Sequence, residues 1–336
     1  MASGPNERAR PKVSVVLRTY NHAKFARQAI ESVLAQQTNF PFEILVGDDC
    51  STDDTRDVVK VIAEEFPERM RLIFRESNMG WVRNLVSLLQ MCEGQYVVTL
   101  DGDDYWTDPL KLQIQADYLD VHPECSACFH PARMVFEGGG TDAPTRNRVI
   151  RDRYSLEDIL GGLIIPTCSY FFRNGLIARF PDWFFTLPIA DLPLQILVAQ
   201  HGLLGFIQEP MGVYRVHQGG LSSGGVKESF WTPQQLRWRV NALLKHYETM
   251  DIVLERKYHD IVCDKLSMLN YDMVWSYQQQ GDLAMMRRYL LAAGKNGILN
   301  SQTPHKFVLK AYLIAYGIFF DAVYRRYHDR GTKAMI

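Results

Sequence analysis

Tyr96-Val97-Val98-Thr99-Leu100-Asp101-Gly102-Asp103-Asp104-Tyr105-Trp106 is the stretch from which the fold can be read. A short run rich in β-formers ends abruptly in three carboxylates within four positions. An apolar run of this length, bounded by Gly and Asp, predicts a buried strand. The acidic cluster then falls at the carboxyl end of that strand, where open α/β sheets bind ligands. Three carboxylates this close repel one another unless something cationic neutralises them, and hard oxygen donors suit Mg²⁺ or Mn²⁺. A solvated acidic turn is the plainer reading of D-x-D-D taken alone, so its surroundings decide.

Upstream, Val13-Ser-Val-Val-Leu17 predicts a strand that runs into the polar loop Arg18-Thr19-Tyr20-Asn21-His22. Phe25, Ala29, Ile30, Val33 and Leu34 recur at helical spacing, which predicts an amphipathic helix from about 24 to 37. Phe42-Glu-Ile-Leu-Val-Gly47 predicts the next strand and ends in a second acidic pair, Asp48-Asp49. Ser51 or Thr52 is placed to cap the following helix, whose inward positions are Val58, Val59, Ile62 and Phe66. Arg71-Leu-Ile-Phe74 reads as a short strand, and Val82, Leu85, Val86 and Leu89 as a third helix before the acidic strand. Strands alternating with helices imply a right-handed, mainly parallel sheet with both acidic strand ends on one edge. No G-x-G-x-x-G follows the first strand and no P-loop is present, so phosphates would need a metal and basic side chains.

Composition bounds the rest. The chain has 336 residues, 47% hydrophobic and 22% charged, an ordinary globular balance. With 37 basic and 38 acidic residues, nothing suggests a nucleic-acid binder. Residues 1–11 read as a polar tail, six scattered cysteines suit a reducing cytoplasm, and no long uncharged apolar run predicts a membrane span.

Val13 to Asn21, Glu43-Ile-Leu-Val-Gly-Asp-Asp-Cys-Ser-Thr-Asp-Asp-Thr55, Asn78-Met-Gly80 with Arg83-Asn84, Asp101-Gly-Asp-Asp104, Ala190-Asp191-Leu-Pro-Leu194 and Tyr214-Arg-Val-His217 occur in that order. Together they resemble the family-2 glycosyltransferases of the GT-A fold, over roughly residues 12 to 225. The chain departs from the family at Cys50, where Gly or Asn is usual, and at Gly47 before the acidic pair. The resemblance implies that Thr19, Tyr20, Asn21, Asp49 and Arg75 line the nucleobase and ribose site, with Asp101 on the ribose side. It implies Asp103 as the main carboxylate ligand of Mn²⁺ or Mg²⁺, His217 as a metal or diphosphate ligand, and Arg215 on the diphosphate or its lid. Asp191 matches the catalytic base, although an acid at a helix start is otherwise most often a cap. The glycine-rich run after His217 would close over the donor.

Other features have two readings. Cys125-Ser-Ala-Cys128 with His122 and His130 could bind zinc, but reads better as a strand with structural cysteines. Arg151 and Arg153 could meet an anionic acceptor or be solvated. Past about residue 228 the chain turns helical, over 231–247, 252–276, 283–292 and 307–327. Gln234-Gln-Leu-Arg-Trp238 matches the QxxRW element of processive polysaccharide synthases, which carry membrane spans that this chain lacks. Trp238 then packs the helices or, like Trp106, stacks on an acceptor sugar. The aromatic run from Phe307, with the basic end Arg325, Arg326 and Arg330, fits peripheral contact with anionic lipid, a helix on the catalytic domain, or a homodimer partner.

The expectation is an α/β GT-A nucleotide-sugar-binding fold. Its central mainly parallel sheet, flanked by helices, occupies 12–228, and a C-terminal helical region occupies 229–336. The expected activity is metal-dependent, inverting transfer of a sugar from a nucleotide-diphosphate sugar, UDP-linked first and dTDP-linked next. The acceptor would be a hydroxyl of a glycan or lipid-linked sugar, in surface polysaccharide biosynthesis, in the cytoplasm or on the inner face of its membrane. The rivals are a nucleotidyltransferase and a non-catalytic nucleotide-sugar-binding protein.

Overall fold

A computed structural model of the protein describes residues 10–137, 143–144, 150–217, 220, 233–278 and 280–295. Most of the glycine-rich run after His217 and the whole aromatic-basic stretch 307–330 lie outside the described residues. The chain divides into two units, Met1–Phe230 and Trp231–Ile336.

In the first unit the order is β1 (Val13–Thr19), α1 (Ala26–Leu34), β2 (Phe42–Asp48), α2 (Thr55–Glu65), β3 (Met70–Phe74), α3 (Trp81–Leu89), β4 (Tyr96–Asp101), β5 (Tyr105–Trp106) and α4 (Lys111–Val121). There follow β6 (Cys125–Phe129), β7 (Ala132–Phe136), β8 (Ala143–Pro144), β9 (Arg153–Tyr154), α5 (Leu156–Leu160) and a 3₁₀ turn, Thr167–Ser169. The unit ends with β10 (Phe171–Arg173), a second 3₁₀ turn (Asp182–Thr186), α6 (Asp191–Ala199), β11 (Leu203–Phe206) and β12 (Gly212–Val216).

The main sheet has the order β3-β2-β1-β4-β10-β6-β11-β9. The neighbours β3, β2, β1 and β4 are parallel, as are β6 and β11, while β10 and β9 run antiparallel to their neighbours. β1 is buried along its whole length and β4 in all but its last residue, as strands covered on both faces must be. Val15, Leu17, Val46, Val98 and Leu100 join Ala29, Ile30 and Val33 of α1 in one core. A smaller sheet, β5-β12-β7-β8, holds the segment after the acidic strand against the return strand β12.

One local expectation changes. Neither Ser51 nor Thr52 caps α2: the helix begins at Thr55, whose amide donates to Asp53 Oδ1 at 3.0 Å, and the Ser51 hydroxyl is taken by Asp48. Cys125 and Cys128 are buried free thiols on β6, with Cys128 packed on Gln115 of α4. Arg153 pairs with Glu124 at 2.8 Å and Arg151 with Asp158 at 3.0 Å, so both are ion-paired to neighbouring acids.

The second unit contains α7 (Pro233–Val253), α8 (His259–Gln278) and α9 (Leu283–Gly294), with α8 packed on both others. Trp238 is 44% exposed on α7. Among the described residues no helix is long and apolar enough to cross a membrane.

Candidate active site

β1, β2 and β4 end side by side, which brings their terminal residues into register: Thr19 lies beside Asp48, and Arg18 beside Asp101. Asp48 is wholly buried and accepts from Thr19 Oγ1 at 3.1 Å and the Ser51 amide at 3.0 Å, with Arg56 alongside. These bonds make Asp48 the knot of the β2 loop and also take up the Thr19 hydroxyl. Thr19 is only 2% exposed, so its side chain shapes the loop from inside. Asn21 Oδ1 accepts from the Thr52 amide at 2.8 Å and ties the β1 and β2 loops together. Asn21 and Cys50 have φ of +55° and +64°. That left-handed conformation suits Gly or Asn better than Cys, which explains why Cys50 is unusual there. Gly47 has its own reason: a Cβ would lie 2.4 Å from Leu88 Cδ1 of α3.

Tyr20 is 43% exposed at the rim of this region. Asp49 is buried, with one oxygen accepting from the Met79 amide at 2.8 Å. Arg75 is half-buried, and its guanidinium donates to Asn84 Oδ1 at 3.1 Å and Ser87 Oγ at 2.8 Å, which braces the β3 loop against α3.

The three carboxylates of the β4 end are separated chemically by the chain itself. Asp101 Oδ1 lies 2.6 Å from Arg18 Nη2. Burial pushes the Asp101 carboxyl up to about 7, with Asp191 and Asp103 adding to the rise and Arg18 opposing it. Asp103 Oδ2 lies 3.0 Å from His217 Nε2 and 3.8 Å from His22 Nε2. Burial alone would raise the Asp103 carboxyl; the hydrogen bond to His217 and the charge of His22 bring it below its ordinary value. Asp104 is 2% exposed, accepts from the Arg215 amide at 2.8 Å and has no partner for Oδ2. Burial and its two acidic neighbours push its carboxyl well up, with the Arg215 amide and guanidinium opposing. Gly102 lets the loop lie against the end of β1: a Cβ there would sit 2.7 Å from Thr19 Cγ2 and 2.9 Å from His22 Nδ1. Part of the repulsion among the three carboxylates is thus eased within the chain by Arg18, which pairs with Asp101.

Arg215 braces this loop from β12. Its Nε donates to the Asp103 carbonyl at 2.8 Å, its Nη2 to Gln28 Oε1 at 2.6 Å, and its guanidinium lies between the Phe25 and Tyr105 rings. His217, 5% exposed, packs on Phe25 with ring centroids 4.6 Å apart. Trp106 is 4% exposed, and its indole donates to the Cys168 carbonyl at 2.9 Å. It is a core residue and presents no face for an acceptor.

Asp191 reaches the same place from the other half of the sheet. It occupies the first turn of α6, where negative charge is favoured and Pro193 is tolerated. It makes no cap: Oδ2 accepts from Thr167 Oγ1 at 2.9 Å, and Oδ1 lies 3.5 Å from Arg18 Nη2. Its side chain stays 38% exposed. Glu157 and Asp158 lie in the first turn of α5, where Asp158 forms a capping box with Ser155. Sequence reading missed Arg18 and His22 as site residues, although both flank Thr19-Tyr20-Asn21 directly.

A divalent cation fits the Asp103 region in donor chemistry: a carboxylate of depressed pKa stands between two imidazoles. Among the described residues no three of His, Cys, Asp and Glu form a cage that could hold the ion alone. Mg²⁺-type ions in phosphate sites take one or two protein carboxylates and complete their shell from substrate phosphates, which is the case that fits.

Comparisons with known proteins bear on the domain and its fold. The sequence model of glycosyl transferase family 2 matches residues 14–179. An uncharacterized protein of Mycobacterium tuberculosis is 35% identical over 221 residues, covering 65% of this chain and 63% of that protein. The chain thus spans somewhat less than two thirds of the length of these mycobacterial relatives. Among solved structures, TarS 1-349 of S. aureus in complex with UDP-GlcNAc has a TM-score of 0.51 at 20% identity, covering 83% of this chain and 90% of that one. The mannosyltransferase PcManGT of Pyrobaculum calidifontis, in complex with GDP-Man and Mn²⁺, has a TM-score of 0.53 at 21% identity, covering 98% of this chain and 85% of that one. Both share the fold. Residues 14–179 carry a glycosyl transferase family 2 domain.

Proposed function

We propose that the protein transfers a sugar from a nucleotide-diphosphate sugar to an acceptor hydroxyl, with inversion at the anomeric carbon. The observation that carries this is the meeting of Asp191, from α6, with Asp101, from the end of β4, on one guanidinium, at 3.5 and 2.6 Å from Arg18. A solvent-open carboxylate is thereby set beside the donor-binding strand ends. Asp191 takes the proton of the acceptor hydroxyl while that oxygen bonds to the anomeric carbon. The bond from the anomeric carbon to the diphosphate oxygen breaks with its electron pair on the diphosphate. Tyr20, Asn21 and Asp49 hold the nucleoside, and Asp101 faces its ribose. Asp103 and His217, with His22 beside them, would hold Mn²⁺ or Mg²⁺, which when bound neutralises the departing diphosphate. Arg215 keeps the loop of Asp103 and Asp104 rigid beneath that charge.

A UDP-sugar is the donor to test first, with dTDP- and GDP-sugars beside it. The two solved neighbours, with UDP-GlcNAc and GDP-Man, support a nucleotide-diphosphate sugar as the class. A glycan or lipid-linked hydroxyl is the proposed acceptor, and surface polysaccharide synthesis the proposed setting. Calorimetry of UDP, dTDP and GDP, with and without Mn²⁺, tests the reading together with release of nucleoside diphosphate from each sugar donor. Binding strengthened by Mn²⁺, and release accelerated by an acceptor, are expected. Absence of binding by all three would overturn the reading; binding with no release from any donor would leave a non-catalytic binder.

A further inference from the structure

Arg18 is a charged residue at the end of a central strand, with a side chain only 10% exposed. Such a group is tolerated there only when it is paired. One nitrogen, Nη2, serves two acids from opposite halves of the sheet, Asp101 at 2.6 Å and Asp191 at 3.5 Å. Its Nε is buried without a partner, a cost that packing alone does not explain. Across the site, Thr167 Oγ1 donates to the other oxygen of Asp191 at 2.9 Å, and the Thr167 carbonyl accepts from Thr99 Oγ1 of β4 at 3.3 Å. Asp191 is therefore fixed on two sides by groups rooted in β1 and β4.

We infer that Arg18 is a positioning residue, which aims the proton-accepting carboxylate of Asp191 at the donor-binding ends of β1 and β4. The inference rests on the reading of Asp191 as the general base. Asp191 begins a helix reached through a long irregular segment, and its carboxylate must meet the acceptor hydroxyl beside the anomeric carbon. A misplacement of about 1 Å in such a group can lower turnover by roughly 10²-fold. Sharing between two acids has a second consequence. When Asp191 takes the proton and loses its charge, Arg18 still has the Asp101 carboxyl 2.6 Å away and is not left without a partner.

The test is a cycle of Arg18→Gln and Asp191→Asn, read as kcat, donor KM, nucleotide affinity and melting temperature. In the wild-type background Arg18→Gln should lower kcat by about 10²-fold and change nucleotide affinity by less than about threefold. In the Asp191→Asn background the same change should alter kcat by less than about twofold, because its effect passes through Asp191. If Arg18→Gln does not fold, Arg18→Lys runs the same cycle, with a loss of at least about tenfold expected in the wild-type background, since an ammonium lacks the planar fork. Equal losses in both backgrounds, or normal kcat in a folded Arg18 variant, would overturn the inference. Normal turnover in Asp191→Asn alone would remove the base and the inference together. An inactive Asp191→Asn beside fully active Arg18 variants removes the inference and leaves the base.

Discussion

Replacing Lys111 by methionine is expected to stabilise the protein, and more so at pH 7 than at pH 9. Lys111 opens α4 with a fully buried side chain, its ammonium 4.3 Å above the Trp106 ring and bonded to Gln115. Burial lowers its pKa to about 7, with nearby Cys168 and Cys128 opposing. An unfolded lysine titrates near 10.4. Between those values the unfolded chain holds a proton that the folded chain does not, so this residue's contribution to stability rises with pH. Linkage then gives a penalty of about 4 kcal/mol at pH 7 and about 2 kcal/mol at pH 9. Methionine keeps most of the volume and removes that penalty, but it leaves Gln115 Oε1 without its donor, which costs about 1–3 kcal/mol. The net gain at pH 7 should be about 1–3 kcal/mol. The difference between wild type and Lys111→Met should shrink by about 2 kcal/mol from pH 7 to pH 9, whatever the fixed terms are. Taking that difference also cancels the thiols and tyrosines that titrate at high pH. Urea unfolding of both proteins at the two pH values measures it. A difference that does not change with pH would refute the buried, titrating amine.

Three further outcomes follow from the site. Cys50→Asn should raise the melting temperature by a few degrees, worth roughly 1 kcal/mol, because Asn adopts φ +64° at less cost than Cys; an unchanged or lower midpoint would count against strain at that turn. Asp103→Ala should abolish the Mn²⁺-dependent part of UDP affinity while leaving a folded protein, and calorimetry with Mn²⁺ or EDTA decides it, an undiminished Mn²⁺ effect placing the ion elsewhere. Gly102→Ala should lose about 1–3 kcal/mol of stability and weaken nucleotide binding, because its Cβ would meet Thr19 and His22; a variant with wild-type melting and affinity would show that the loop yields freely.

Much of the fold was legible because it is periodic and local. β1, β2, β3 and β4 each end in turn or acidic residues, and the helices between them carry apolar faces at helical spacing. The acidic strand ends were legible for a related reason, because carboxylates there stand out against apolar runs; Asp191 was singled out by the family resemblance, since an acid at a helix start is otherwise most often a cap. What escaped notice were the partners. Arg18 looks like the first residue of a polar loop, yet it is the last buried cation of β1, paired with acids 83 and 173 positions away in sequence. His22 meets Asp103 only once Gly102 lets the loop fold back onto β1. The resemblance implied Arg75 in the nucleobase site, and Trp106 was read as a ring available to an acceptor sugar. The structure gives both to interior hydrogen bonds, with α3 and with the Cys168 carbonyl. Such pairings depend on which elements become neighbours, and no local pattern encodes them.

The central claim is that Asp191 accepts the proton in a glycosyl transfer, and its most direct test is turnover of Asp191→Asn at saturating donor and acceptor. The amide keeps the shape of the carboxylate and can still accept from Thr167 Oγ1, which lies 2.9 Å away. Melting temperature and UDP affinity should therefore stay near wild type, while turnover falls by about 10²–10⁴-fold, the usual worth of a general base. A folded Asp191→Asn protein that turns over at close to the wild-type rate would contradict the account.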